Sequence, residues 1–96
     1  MTIHELLADA LSWTQHTYAR DAHGSACDPH GGDAVCWCLA GALLRCYTGG
    51  HRELVSRQLL QAIGIPVTPA WESRLSAWND THDFAAVQAL VQALHV

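Results

Sequence analysis

The stretch AVCWCLAGALLRCY, residues 34–47, is the most apolar run in the 96-residue chain, and its reading decides the fold. At helical spacing it carries two apolar stripes. Val35, Leu39, Ala42, Leu43 and Cys46 form one, and Cys36, Ala40, Leu44 and Tyr47 form the other. A helix apolar on two sides has to be covered on two sides, so residues 34–47 are expected to be the central helix, capped by Asp33. Gly41 in its middle costs about 1 kcal/mol relative to alanine, which predicts the close approach of a neighbouring helix or aromatic ring.

Working outward, apolar residues recur mostly at helical spacing, with no run of strict alternation. A first helix opens at Thr2, which with Glu5 has the pattern of a capping box, and would bury Ile3, Leu7, Ala10, Thr14 and Tyr18. Glycine, proline and aspartate mark residues 21–33 as a long loop. Beyond the centre, Thr48-Gly49-Gly50 stops the helix. A third then runs from about Arg52 to Ile63, with Gly64 as its C-terminal stop. Thr68-Pro69 starts a fourth, with Trp71, Leu75 and Trp78 on one face, and a last helix spans about Thr81 to His95. The expectation is one all-α domain, residues 1–96, a compact bundle of about five short helices around residues 34–47.

Composition narrows the function classes. Half the residues are apolar and only 15% are charged, below the roughly 25% usual for globular domains, which argues for a large core or an apolar association surface. The net charge of -4 is uneven. Glu5, Asp9, Asp21, Asp28 and Asp33 face only Arg20 in residues 1–33, while Arg45, Arg52, Arg57 and Arg74 make the middle mildly basic. That is far short of a basic stripe for a phosphate backbone, so no nucleic-acid partner is expected. Lysine is absent, which excludes Schiff-base chemistry. The first residues show no secretory signal, and the longest apolar run, Ala34 to Leu44, is too short to span a bilayer. A cytoplasmic location is expected, with Cys27, Cys36, Cys38 and Cys46 as free thiols or ligands.

Four features stand in order: Leu11-Ser12-Trp13-Thr14-Gln15 closing the first helix, a glycine-containing loop, Ala34-Val35-Cys36-Trp37-Cys38-Leu39-Ala40-Gly41-Ala42-Leu43, and Trp78-Asn79-Asp80 before a final helix. Together they resemble a family of small bacterial and phage-borne helical proteins known only as a domain of unknown function, with W-x-Q, C-x-x-G-A-L and N-D patterns. The resemblance implies a helical fold and an intracellular prokaryotic or phage setting, with Cys38 as the family-like cysteine, and it brings no activity. After the N-D pair the chain departs from the pattern, because residues 80–84 are shorter and lack a glycine.

Candidate sites are weighed against packing roles. Zinc favours thiolate and imidazole, and His23, Cys27, His30, Cys36 and Cys38 are its candidate donors, with Cys27, His30 and Cys36 as the three-ligand set and buried thiols beside solvated histidines as the alternative. Two helical residues, Cys36 and Cys38, would diverge by about 200° and could not share an ion. Cys36 or Cys38 with His82 and Asn79 or Asp80 could form a thiol-imidazole nucleophile. Trp78, Asn79 and Asp80 suit ligand binding, although Asn79 could end one helix in the left-handed region while Asp80 caps the next. Trp37 becomes an interface anchor if the domain itself leaves it uncovered. The leading expectation is a non-enzymatic interaction module that binds a protein partner or itself, with no cofactor. A zinc-stabilised domain and a cysteine-dependent hydrolase are the alternatives.

Overall fold

A computed structural model describes all residues, Met1–Val96. Its elements in order are α1 (Ile3–Leu6), a 3₁₀ turn (Ala10–Ser12), β1 (Ala19–Arg20), β2 (Cys36–Trp37), α2 (Leu39–Cys46), α3 (Gly49–Ile63), α4 (Trp71–Asp80) and α5 (Phe84–Leu94). The fold is mostly helical, with five helices as expected, but it is not purely α. β1 and β2 pair antiparallel, with Ala19 opposite Trp37 and Arg20 opposite Cys36. Trp13 bridges the far side of β2, and Ala26 bridges Arg20.

The central helix is therefore shorter than the apolar run. Val35 donates its N–H to the Arg20 carbonyl at 2.9 Å and Cys38 donates to that of Tyr18 at 3.1 Å, so residues 35–38 are spent on a ladder. Continuous apolar runs fit a buried strand as well as a helix, and here the run contains both. Asp33 does not cap α2. Cys38 does, in extended conformation, its Sγ accepting from the Gly41 N–H at 3.3 Å. Gly41 answers to a close approach, but by backbone: a Cβ there would lie 1.9 Å from the Tyr18 carbonyl oxygen.

The capping box on α1 is present, with Thr2 and Glu5 bonded both ways. The helix nevertheless stops at Leu6. Asp9 accepts from the Leu11 N–H at 2.9 Å and starts a separate 3₁₀ turn, the usual competition of an aspartate side chain with helix continuation. After it, Trp13 is extended, and Thr14 donates to the Trp37 carbonyl at 3.1 Å. Gly64 ends α3 in the left-handed region, at φ 79°, as expected. Thr48 begins α3 instead of ending α2. α5 is capped by Asp83, which accepts from the Ala86 N–H at 2.9 Å, so that helix starts at Phe84.

Ile3, Leu7, Leu39, Leu43, Leu59, Leu60, Leu75, Val87 and Val91 are wholly buried and draw on all five helices and the segment after α1. The last residue closes the far end, where the Val96 carbonyl accepts from the Tyr47 hydroxyl at 2.8 Å and from the Ile3 N–H. The loop of residues 21–33 is docked against α2. Trp37 Nε1 donates to the Pro29 carbonyl (3.0 Å), Arg45 donates to those of Pro29 and Gly31 (both 3.1 Å), and His30 Nε2 bonds that of Leu44 (2.8 Å).

Candidate functional site

The segment after α1, the start of α2 and the end of α4 meet at one place, and the residue that joins them is Asn79. It is the last residue but one of α4 and is completely buried. Its Oδ1 accepts from Trp13 Nε1 at 2.7 Å and from the Leu39 N–H at 3.0 Å; its Nδ2 donates to the Thr14 carbonyl and to Asp80 Oδ1, both at 3.1 Å. A side-chain amide offers two donors and two acceptor sites, so every capacity of Asn79 is used. Asn79 stands in the last turn of α4, as expected of a helix end, but not in the left-handed region, which among non-glycine residues only His16 and His95 occupy; its buried amide is held by this set of partners instead. One of those partners, the Leu39 N–H, is among the groups a helix start leaves unpaired.

Gln15 continues the network. Its Nε2 points at the carbonyls of Asn79, Asp80 and His82, at 3.0–3.3 Å, and so satisfies the C-terminal end of α4. Asp80 does not cap the next helix, since Asp83 does. Instead its Oδ1 accepts from the His16 N–H at 2.9 Å. His16 sits in the left-handed region, at φ 71°, a conformation uncommon for a residue with a side chain and held here by its neighbours' hydrogen bonds.

On the outer side of this network opens a cleft of about 380 Å³, lined by His16, Thr17, Tyr18, Cys38, Ser73, Ser76 and Asp80. The His16 Nδ1 lies 3.6 Å from Asp80 Oδ2. Tyr18, just over one-third exposed, donates its hydroxyl to Glu72 Oε2 at 2.8 Å. That bond to a carboxylate, assisted by burial and by the Glu72 charge, pushes the phenol up to about 12. Cys38 forms the floor, 2% exposed, and desolvation raises its thiol against the opposing pull of the α2 backbone N–H groups.

The chain is matched over residues 2–95 by the model of DUF6197, a family of unknown function. The chain belongs to that family. In this fold Trp13, Thr14 and Gln15, the start of α2 at Leu39, and Asn79 and Asp80 meet in one hydrogen-bonded network. No curated protein and no solved structure matches the chain.

The other candidate residues are placed as follows. Trp37 lies in β2, not on a face of the central helix; it is 7% exposed, with Arg45 stacked 5.6 Å from its ring centroid, so the domain itself covers it. Trp78 is half-buried and stacks on His82 at 4.2 Å, while His82 Nδ1 bonds the Trp78 carbonyl at 2.7 Å. His82 is thereby tied to the end of α4 and its own ring partner. Cys27, His30 and Cys36 are not brought together as a ligand set, and no group of three or more His, Cys, Asp or Glu is placed to hold a metal ion. His30 is spent on Leu44, and the Cys36 Sγ faces the Arg20 carbonyl at 3.9 Å. Burial raises the thiols of Cys27 and Cys46, the latter to about 11.

Sequence reasoning missed His16, Tyr18, Ser76 and the role of Gln15. The only signal for Gln15 was its place in the W-x-Q pattern; its partners lie more than sixty residues away. The helical spacing puts Tyr18 on the buried face of a continuing first helix, in which its outward presentation cannot be seen.

Proposed function

We propose that this chain is a non-enzymatic protein-interaction module, acting in the cytoplasm of a bacterial or phage-infected cell, whose recognition surface is the segment from Leu11 to Tyr18 with the adjoining cleft. The observation that carries this reading is a surface segment without regular secondary structure beyond one 3₁₀ turn, yet fixed by side-chain bonds at Trp13, Thr14, Gln15 and His16. It presents Leu11, 89% exposed, and Tyr18 outward. An immobilised segment loses little conformational entropy on binding, and exposed aromatics on rigid supports are the usual anchors of interfaces.

The reading is tested by sizing the protein and by affinity capture from the organism that encodes it, with Leu11→Ser and Tyr18→Ala compared against the natural sequence. Both variants should melt close to the parent and lose the partner or the self-association. A strict monomer that retains no partner, or capture indifferent to both substitutions, would remove the proposal.

A thiol-dependent hydrolase is the second reading, favoured by one observation: Cys38, His16 and Asp80 line the same cleft. Against it, the Cys38 sulfur already accepts a helix N–H, and burial raises its thiol, whereas a nucleophile needs the thiolate. Rapid alkylation of Cys38 at neutral pH would turn the choice toward it.

A further inference from the structure

We draw no further inference here: the strongest candidate, the uncharged outer face of α5 where Ala85, Ala89 and Ala93 lie exposed, is a stripe of small side chains, and nothing in the structure shows what covers it.

Discussion

Asn79 and Asp80 are neighbours with side chains of nearly the same shape, yet they belong to different parts of the molecule. Asn79 turns inward, is wholly buried and has every hydrogen-bonding capacity filled. Asp80 turns toward the cleft, keeps part of its surface in solvent and faces only an exposed imidazole with its second oxygen. The interior network tolerates no change of donor or acceptor, because three of the four groups it answers, the Trp13 indole N–H, the Leu39 N–H and the Thr14 carbonyl, have no other partner. The cleft wall has capacity to spare. A pair that sequence presents as one motif is therefore a structural residue followed by a surface one.

The interior side of that comparison should break most severely. Asn79→Ala leaves the Leu39 N–H, the Trp13 indole N–H and the Thr14 carbonyl without their partner, at about 1–3 kcal/mol for each group that stays dry. A loss of about 3–5 kcal/mol is expected, or a melting temperature lowered by roughly 20 °C for a domain of this size. Thermal unfolding followed by circular dichroism measures it. A loss under about 1 kcal/mol would mean that water replaces the amide and that the network is not what fixes the Leu11–Tyr18 segment.

Gly41→Ala should follow closely. Its methyl would sit 1.9 Å from the Tyr18 carbonyl oxygen, a backbone atom that cannot swing aside, so α2 or the strand entry must move. Overpacking of this kind costs about 1–3 kcal/mol and sometimes more. Because the displaced residue is Tyr18, the same variant should also broaden the amide resonances of residues 16–18. Lost stability without any change at Tyr18 would place the strain within α2 instead.

The contrast also marks how far the sequence could be read. Local signals came through: the Thr2 capping box and the left-handed Gly64 follow from neighbours within a turn. The family resemblance was legible too, because it rests on order and spacing. What failed was the border between strand and helix in residues 34–47. Val35 to Cys38 take their hydrogen bonds from Tyr18 and Arg20, and nothing local distinguishes that from a helix. The same long-range pairing hid the site. Gln15, His16 and Tyr18 acquire their roles only from α4, which follows them by more than fifty residues.

Smaller effects probe the cleft side. Gln15→Ala removes the donor that serves the carbonyls at the end of α4, and should cost about 1–2 kcal/mol, less than Asn79→Ala, because those carbonyls can reach water. Thiol labelling followed by mass spectrometry should find Cys38 and Cys46 slow under native conditions. For Cys46, a pKa moved from 9.0 to about 11 lowers the thiolate fraction about a hundredfold at neutral pH. Fast labelling at Cys38 would instead favour the hydrolase reading.

The smallest expected change lies at the cleft's edge and is read by alkaline titration. The Tyr18 hydroxyl donates to Glu72, so the folded protein holds this phenolic proton to about pH 12, against an ordinary value of 10.0. A group whose folded pKa is raised contributes its stability in full below the unfolded value and loses it as the pH climbs through the folded one. The contribution of this bond is therefore constant through neutral pH and fades between about 10 and 12. Because the ring is partly exposed, the stability at stake is small, and the ionisation itself is the better measurement. With ring-labelled tyrosine, nuclear magnetic resonance separates Tyr18 from Tyr47. Glu72→Gln should return the Tyr18 midpoint toward 10 while Tyr47, bonded to the Val96 carbonyl at the far end of the molecule, stays where it was. A Tyr18 midpoint near 10 in the natural sequence would show that Glu72 does not hold the phenol.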